Sequence, residues 1–342
     1  MALKVIQSED IWNKIVEDFE LTDIYYTYEY CYNNARLEKG TTKLLYYKSH
    51  LGVVIYPIIE RRIDTSYSRE IYDIITPYGY GGPLVLGSKE ILKDFRIELA
   101  IYCKTENIIS EIIRFHPLLN NAKMMDSHCK LEYIRKTTAV DLSNDIETIK
   151  ANYSKMNKRN IKRACKNGLI CKSVNKTTEN INTFLEIYNE TMDRQNALPF
   201  YYFPFNHIEN VLNDTRLYNA HLLFVYYNDK VISVAILFTT EKYAHYYLGA
   251  SISKYLNLRP NNLVFDYMVQ LSKEKGCAFL HLGGGYQEDD GLFKYKCSFS
   301  NNNVYNYYIG KSIFNKKIYD ILVDERKKKH DLNENYFPLY RG

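Results

Sequence analysis

Two stretches of the chain repeat one order of apolar and polar positions. In each, two runs rich in apolar and aromatic residues flank a short polar turn, which is typical of a β-hairpin. A third apolar run, a helix-forming stretch and a last apolar run follow in both. The predicted hairpins span residues 43–59 and 222–238, the third strands 71–75 and 243–248, the helices 89–105 and 262–275, and the last strands 108–115 and 278–282.

This repeat predicts an α/β fold with mixed sheets, built from two similar units in tandem. Equivalent elements lie about 170 residues apart, which is too long a period for a solenoid. We therefore expect an N-terminal domain over residues 1–142 and a C-terminal domain over 177–342. A basic helical segment and a linker strand, residues 143–176, are expected between them.

The segment between the repeats carries many cations. Residues 144–168 favour one long helix, which Gly168 can end because glycine adopts a left-handed conformation at little cost. The cations recur every three or four residues, so several share a face, and no acidic residue follows Glu147 to neutralise them. We expect this face to contact phosphate groups; a solvated helix surface is the alternative. The cations are Lys155, Lys158, Arg159, Lys162, Arg163 and Lys166.

Candidate chemistry concentrates in LHLGGGYQEDDGLFKYKCSF, residues 280–299. A predicted strand runs into Gly283, Gly284 and Gly285, whose missing side chains let a substrate approach the backbone amides. Alternation over 293–299 predicts a further strand with Lys296 on one face. An ammonium near glycine amides and aromatic rings can stabilise developing negative charge, although a solvated strand lysine is the alternative.

Each third strand is expected to end in a loop that bears tyrosine and glycine, YGYGGP at 78–83 and YYLGA at 246–250. A phenol offers stacking area and a hydroxyl together, which suits a polar substrate. The chain holds 34 tyrosines, and a compositional bias of the genome is the alternative explanation. The candidate substrate-binding residues of these loops are Tyr78, Gly79, Tyr80, Gly81 and Tyr247.

Composition and charge exclude several classes of protein. Hydrophobic residues make up 46% and charged residues 25% of the chain, which is the balance of a folded protein. The net charge of +5 is too small for a chromatin-like binder. The seven cysteines are scattered without a Cys-x-x-Cys pair, which favours reduced thiols. The N-terminus shows no signal-peptide pattern and no apolar run could span a bilayer, so we expect a cytoplasmic protein.

Several catalytic motifs are missing from the sequence. It contains no G-x-G-x-x-G, no G-x-x-x-x-G-K-[ST] and no H-E-x-x-H. His128 and Cys129 are adjacent, but neighbours on a strand point to opposite sides and no third orienting group is identifiable. We therefore predict neither a dinucleotide fold nor a metal site nor a cysteine nucleophile.

The order of several segments resembles the FemAB/FemX-like branch of the GNAT acyltransferases, and the likeness covers most of the chain. It implies two GNAT-like domains in tandem and transfer of an acyl or aminoacyl group to an amine. The segments are TPYGYGGP at 76–83, SKMNKRNIKRACKNG at 154–168, IYNETMDRQNA at 187–197, LRPNNLVFDYMVQLSKEKG at 258–276, and LGGG followed by GLFKYKCSF at 282–299.

The resemblance implies roles for individual residues. A lysine near the end of the second unit stabilises the charged intermediate in this family, and Tyr295 and Lys296 match that element. Basic and tyrosine side chains hold the diphosphate of the acceptor. Their counterparts here are Arg194, Tyr201 and Tyr202, although the arginine usually found before the tyrosine is replaced by proline and phenylalanine.

The donor and the general base are less defined by the sequence. The acyl-CoA turn R-x-x-G-x-G/A is absent, but Arg259, Asn261 and Asn262 stand where a helix begins and can receive an anion. This favours an aminoacyl-tRNA or an unusual acyl donor over a standard acyl-CoA. Asp266 and an acceptor phosphate are both candidates for the general base.

Three functions follow from the sequence as alternatives. The first is a FemAB-type transferase that acts on a nucleotide- or lipid-linked precursor of peptidoglycan or surface polysaccharide, with charged tRNA or acyl-CoA as donor. No bound cofactor is expected, and peripheral association with a membrane is compatible with it. The second is an acyl-CoA-dependent amino-sugar N-acyltransferase. The third is a non-catalytic RNA-binding or assembly protein.

Overall fold

The computed structural model describes residues 3–19 and 23–342, which form two compact units. The first unit comprises Met1–Ile134 and Asn306–Gly342, and the second comprises Arg135–Tyr305. These limits differ from the divisions expected at residues 142 and 176. The reason is a strand near the C-terminus that the sequence pattern did not reveal. This strand pairs with a strand of the first unit, so the C-terminal segment belongs to that unit.

The first unit is built on one mixed sheet. Its strands follow the order β1-β2-β3-β4-β6-β13, with β5 also pairing with β3, and β4 runs parallel to β6. Its elements are β1 (Lys4–Ile6), α1 (Glu9–Glu17), α2 (Tyr28–Leu37), β2 (Gly40–Ser49), β3 (Gly52–Arg62), β4 (Tyr72–Ile75), β5 (Leu84–Gly87), α3 (Ile91–Thr105), β6 (Ile108–Arg114) and α10 (Lys316–Lys329); β7 (Lys130–Asp141) and β13 (Val304–Ile313) cross the boundary.

The second unit is also built on a mixed sheet, and it holds most of the candidate residues. Its strands follow the order β7-β12-β11-β10-β9-β8, and only β11 and β12 are parallel among the pairs described. Its other elements are α4 (Ile146–Ala151), α5 (Lys155–Lys166), β8 (Ile170–Val174), α6 (Thr178–Arg194), α7 (Phe205–Val211), β9 (Asn219–Tyr227), β10 (Lys230–Thr239), β11 (Tyr243–Ser251), α8 (Pro260–Glu274), β12 (Phe279–Gly283) and α9 (Gly291–Cys297).

The predicted repeat is confirmed at the level of topology. Each unit contains an antiparallel hairpin, a third strand, a helix and a last strand that runs parallel to the third. Helix α3 buries Phe95 and Leu99 against the first sheet, and α8 buries Met268 and Val269 against the second. Apolar positions at helical spacing therefore define the inner face of both helices.

Three predicted elements differ from the structure. The helix expected over 144–168 is two helices, α4 and α5, because Ser154 caps α5 by accepting a hydrogen bond from the amide of Asn157 at 3.1 Å. The loop expected at 246–250 is part of β11, which stays paired with β10 as far as Ser251. The sequence also predicts a helix over residues 312–330; the helix that forms there, α10, begins at Lys316 because β13 continues to Ile313. Gly168 does follow α5 with φ +78°, as expected.

Helices of the described residues are all too short or too polar to cross a bilayer. All seven cysteines are free thiols.

Candidate active site

A cavity of about 180 Å³ lies in the second unit, where helix α8 begins beside strands β10 and β11. Among the residues that line it, none carries a carboxylate or an imidazole, so the cavity favours neutral or anionic ligand groups. The lining residues are Thr191, Met192, Arg194, Gln195, Val234, Ala235, Tyr246, Gly249, Ala250, Ser251, Asn261, Val264, Phe265, Tyr286, Leu292 and Tyr295.

Lys296 is buried next to this cavity, with 7% of its surface exposed. Its Nζ donates a hydrogen bond to the carbonyl oxygen of Gly284 at 2.7 Å and lies 5.4 Å from the ring centroid of Tyr246. Burial lowers the pKa of this ammonium to about 8, and the charge of Asp290 opposes the shift only in part. Lys296 does not line the cavity itself, whereas the preceding residue, Tyr295, does.

The segment that carries Lys296 is the short helix α9, so the strand predicted over residues 293–299 is wrong. On a helix, successive side chains are turned by about 100°, whereas on a strand they point to opposite faces. Tyr295 therefore packs against Phe265 at the cavity while Lys296 reaches the carbonyl of Gly284.

Asp290 explains why a helix forms at this point. Its carboxylate accepts hydrogen bonds from the amides of Phe293 at 2.7 Å, Tyr286 at 2.6 Å and Gln287 at 3.0 Å. The first of these is an N-cap bond, which satisfies an amide that a helix start otherwise leaves unpaired. Desolvation raises the pKa of Asp290, but these backbone amides outweigh it and hold the pKa below its ordinary value.

The three glycines act differently from the expectation that their amides receive a substrate. Gly283 ends β12 with φ +74°, a conformation that favours glycine. Gly284 presents its carbonyl oxygen to Lys296, and a Cβ at this position would lie 2.7 Å from the carbonyl oxygen of Lys136. A Cβ on Gly285 would collide with the carboxylate of Asp290. The glycines thus permit close packing around the lysine.

Tyr246 lies beside both Lys296 and the cavity. Its ring packs against Phe265 at 5.0 Å between centroids, and burial raises the pKa of its phenol. The hydroxyl lies over Gly249, where a Cβ would be only 2.5 Å from the Tyr246 oxygen. Gly249 therefore makes room for the phenol at the cavity.

A side-chain contact joins the two sides of the cavity rim. Tyr286, in the loop before α9, donates a hydrogen bond to the amide oxygen of Gln195 at the end of α6. The backbone of this loop is held by Arg135, whose Nη1 donates to the carbonyl oxygens of Gly285 at 2.6 Å and Tyr286 at 3.1 Å. The loop and α6 thus meet above the cavity.

The three residues expected to receive the donor at the start of α8 take different positions. Asn261 lines the cavity and accepts a hydrogen bond from the hydroxyl of Ser251. Arg259 is exposed and precedes the helix in a left-handed conformation, with φ +70°. Asn262, by contrast, is buried and donates to Asn157 at 3.0 Å, so its side chain is directed into the protein.

Arg194, at the end of α6, lines the same cavity. Its guanidinium donates to the carbonyl oxygen of Ser251 at 3.3 Å and to the hydroxyl of Ser253. No carboxylate pairs with it among the described residues, so its charge is available to an anionic group. The structure thus places Arg194 at the cavity, and its expected role in acceptor binding stays a prediction.

Other expected residues lie outside the cavity lining. Asp266 is directed away on α8, where its Oδ2 accepts hydrogen bonds from Lys150 at 3.2 Å and Gln270 at 2.8 Å. Tyr247 packs on Phe238 with a centroid distance of 4.8 Å. Tyr202 donates a hydrogen bond to Asp193 at the cavity rim. Tyr201 also lies at the rim: burial is the main cause that raises the pKa of the Tyr286 phenol, and the nearby Tyr201 adds to that shift.

The loop with Tyr78, Gly79, Tyr80 and Gly81 belongs to the first unit. The hydroxyl of Tyr30 donates to the carbonyl oxygen of Tyr78 at 2.8 Å, and a Cβ on Gly79 would lie 2.5 Å from the ring of Tyr25. The loop is therefore packed tightly within its own unit.

The outer face of α5 carries a stripe of exposed cations, which we call the α5 stripe and which comprises Lys155, Arg159, Lys162, Arg163 and Lys166. The inner face of α5, with Asn157 and Ala164, packs against α8. Within residues 3–19 and 23–342 no ion pair neutralises the stripe. Lys158 stands apart from it, because its Nζ donates to the carbonyl oxygen of Ala151 at 2.8 Å.

Sequence reasoning missed Tyr246, Tyr286 and Ser251. Tyr246 was passed over for its neighbour Tyr247, because a β-bulge places an extra residue in β11 between the partners of Ile236 and Leu237. The bulge changes which of two adjacent tyrosines faces the cavity, and no local pattern marks it. Tyr286 becomes part of the site only through its contact with Gln195, which is distant in sequence.

Comparison with known proteins agrees with this geometry. Residues 151–296, which end at Lys296, match the family of acetyltransferase (GNAT) domains. The match covers most of the second unit. The cavity at the start of α8 and the buried lysine both fall within or at the edge of that match.

Solved structures resemble the protein over most of the chain as well. FemX is similar with a TM-score of 0.69 and 13% sequence identity, over 93% of this chain and 99% of that chain. The expected FemX-like arrangement is thus confirmed at the level of the fold.

Two lysylphosphatidylglycerol synthetase structures are similar too. The C-terminal domain of a putative one from Agrobacterium fabrum has a TM-score of 0.55 and 14% identity, over 89% of this chain and 92% of that chain. The structure of L-PGS from Bacillus licheniformis has a TM-score of 0.51 and 13% identity, over 82% and 88%. None of the curated protein sequences is detectably similar to the chain.

Proposed function

We propose that this protein transfers an activated acyl or aminoacyl group to an amine on a nucleotide- or lipid-linked precursor of peptidoglycan or a surface polysaccharide. The observation that supports this most is Lys296, a buried ammonium hydrogen-bonded to Gly284 beside the cavity of the GNAT domain. A buried lysine without a carboxylate partner costs folding free energy, and such a cost is typical of functional sites.

The proposed chemistry follows from the charges of the site. An amine that attacks an ester or thioester carbonyl creates an oxyanion, which a nearby ammonium stabilises in a water-poor environment. Because the pKa of Lys296 is about 8, the side chain is mostly protonated at neutral pH. The described cavity lining offers no carboxylate base, so the amine has to arrive neutral, and its proton leaves with the departing group or with water.

The donor is proposed to carry phosphate. Arg194, Arg259 and the start of α8 lie at or next to the cavity, and helix starts favour anions. The α5 stripe adds five cations in the same unit, which favours a large polyanion, and we therefore propose an aminoacyl-tRNA ahead of an acyl-CoA.

The acceptor is proposed from the solved structures that have a similar fold. FemX and the lysylphosphatidylglycerol synthetases share the fold, and the latter are named for a lipid. A precursor linked to a nucleotide or a lipid would bring its own anionic group, which suits a cavity lined without carboxylates. The seven free thiols support a reducing compartment such as the cytoplasm, and we propose peripheral association with the membrane face where lipid-linked precursors reside.

A donor screen tests this proposal. The full chain is heated with a panel of acyl-CoAs and charged tRNAs, and donors that raise its melting temperature are then incubated with labelled amine acceptors. We expect at least one charged tRNA to stabilise the protein and its aminoacyl group to appear on a muropeptide or amino-sugar amine. Stabilisation by acyl-CoA alone would favour the amino-sugar N-acyltransferase, and no transfer from any donor would contradict the proposal.

A second candidate function rests on the α5 stripe alone. Five exposed cations without ion-pair partners among the described residues could serve a non-catalytic RNA-binding protein equally well. This alternative predicts salt-dependent RNA binding without any acyl transfer, and it gives no role to the buried Lys296.

A further inference from the structure

Helix α9 is held at its C-terminal end by a partly buried chain of hydrogen bonds. The hydroxyl of Ser298, the residue after the helix, donates to the carbonyl oxygen of Tyr295 at 2.6 Å. The same hydroxyl accepts a hydrogen bond from Nδ2 of Asn157 at 2.7 Å. Oδ1 of Asn157 accepts in turn from Nδ2 of Asn262 at 3.0 Å. This chain of hydrogen bonds therefore joins α9 to α5 and α8.

The two asparagines of this chain are well buried, Ser298 is half-buried, and the links support one another. Asn157 is 2% exposed and Asn262 is 4% exposed, so water cannot replace a lost partner at little cost. The amide of Ser154 donates to the carbonyl oxygen of Ser298 at 2.9 Å, which adds a second link between the start of α5 and the end of α9. Breaking one bond would leave a buried donor or acceptor unpaired.

The other end of α9 is fixed independently. Asp290 binds three backbone amides there, and the loop before it is held by Arg135. A helix of seven residues that is fixed at both ends has little freedom to move. Lys296 lies in its last turn, so the position of the ammonium against Gly284 depends directly on the C-terminal anchor.

We propose that Asn157 and Ser298 are positioning residues, which hold Lys296 against Gly284 by fixing the end of α9. The inference rests on the proposed function for its effect on catalysis, but its effect on Lys296 itself can be measured without any substrate. When the anchor is lost, α9 should loosen and water should reach the ammonium.

The test compares Ser298→Ala with Ser298→Thr in the full chain. Lysine labelled with ¹³C at Cε is titrated by NMR, and the Lys296 signal is assigned by its loss in Lys296→Met. Removing the hydroxyl should raise the Lys296 titration midpoint by about one pH unit or more towards the ordinary lysine value, because rehydration favours the charged form. The threonine variant retains a hydroxyl and should titrate like the wild type.

Ser272→Ala is the matched control, because the Ser272 hydroxyl is buried on α8 and has no hydrogen-bond partner among the described residues. It should leave the Lys296 titration unchanged. Asn157→Ala provides a second variant if Ser298→Ala does not fold, and it should shift the titration in the same direction. If Lys296 titrates identically in Ser298→Ala, Asn157→Ala and the wild type, the positioning role is wrong.

The kinetic arm links the anchor to the proposed reaction. With an active donor, Ser298→Ala should lower kcat about tenfold or more while KM changes little, since the donor contacts stay in place. A shifted titration in a protein that transfers no acyl group would support the positioning role and contradict the proposed function. An unshifted Lys296 titration in an enzyme that transfers the acyl group would contradict the positioning role and support the proposed function.

Discussion

Lys296 is a buried residue whose charge costs stability, and we propose that it favours activity. A lysine that is 7% exposed and hydrogen-bonded, among the described residues, only to the neutral carbonyl of Gly284 is costly to keep charged. The sequence identified this residue through its glycine- and aromatic-rich neighbourhood, and the structure places it beside a cavity. Its burial, however, depends on packing from Tyr246 and α9, which no local pattern discloses.

The stability of Lys296→Met should therefore depend on pH. The folded pKa of about 8 lies below the ordinary value of about 10.4, so the unfolded chain binds more protons between these two values. Wild-type stability should consequently rise with pH across this window. Below pH 8, Lys296→Met should exceed the wild type in unfolding free energy by about 1–3 kcal/mol, allowing for the lost hydrogen bond to Gly284.

Urea unfolding at pH 7 and pH 10 measures this difference. The advantage of Lys296→Met should shrink as the pH rises, because the wild-type lysine loses its charge. Lys275→Met, a change at an exposed lysine, serves as the control and should show no such trend. A constant difference between Lys296→Met and the wild type at both pH values would contradict the account.

At the scale of elements, the sequence predicted the repeated hairpin, strand, helix and strand, because apolar periodicity and glycine positions are local signals. It failed at α9, where seven residues fit a strand pattern as readily as a helix. The deciding signal was Asp290, which caps the helix from three residues before Phe293. It also missed β13, since pairing with β6 is decided by residues far away in the chain.

Gly249→Ala tests the fit between strand β11 and the cavity wall. The added methyl would lie 2.5 Å from the hydroxyl of Tyr246, whose ring is confined by Phe265. We expect a loss of about 1–3 kcal/mol in unfolding free energy, as for other overpacked sites, together with reduced activity. Thermal and urea unfolding provide the measurement.

Two further variants make this prediction specific. Tyr246→Phe in the Gly249→Ala background removes the nearest atom and should recover part of the lost stability. Gly291→Ala places its methyl in open space at the start of α9, so its stability should equal or exceed that of the wild type. Equal stability of Gly249→Ala and the wild type would show that Tyr246 does not occupy this position.

At the scale of the whole molecule, the duplication was visible in the sequence but the domain limits were not. The C-terminal segment belongs to the first unit through β13, so a division by order along the chain misplaces it. The exposure of the α5 stripe follows from its local spacing, whereas the phosphate contact expected of this face stays a prediction. What the sequence could not provide is the inner face of α5, which anchors α9 through Asn157.

Charge reversal on the α5 stripe tests its proposed partner. Arg159→Glu combined with Arg163→Glu should weaken binding of a tRNA acceptor-stem RNA and reduce its dependence on salt. Log affinity falls as log salt concentration rises, and each lost phosphate contact should make this slope shallower by about 0.7–0.9. Filter binding at several salt concentrations gives this slope.

The same charge change elsewhere is the control. Lys328→Glu with Lys329→Glu alters two exposed cations at the end of α10 in the first unit, and the slope should stay close to that of the wild type. Equal slopes for the stripe variant and the wild type would remove RNA as the partner of the stripe.

The central claim is that Lys296 stabilises the charge that develops during acyl transfer. The most direct measurement is the single-turnover rate of transfer from a bound labelled donor to an amine, compared between the wild type and Lys296→Met. Loss of one well-placed donor at an oxyanion lowers such rates by about 10²–10³. We predict a decrease of this size with donor binding preserved, whereas an unchanged rate in a folded Lys296→Met variant would contradict the account.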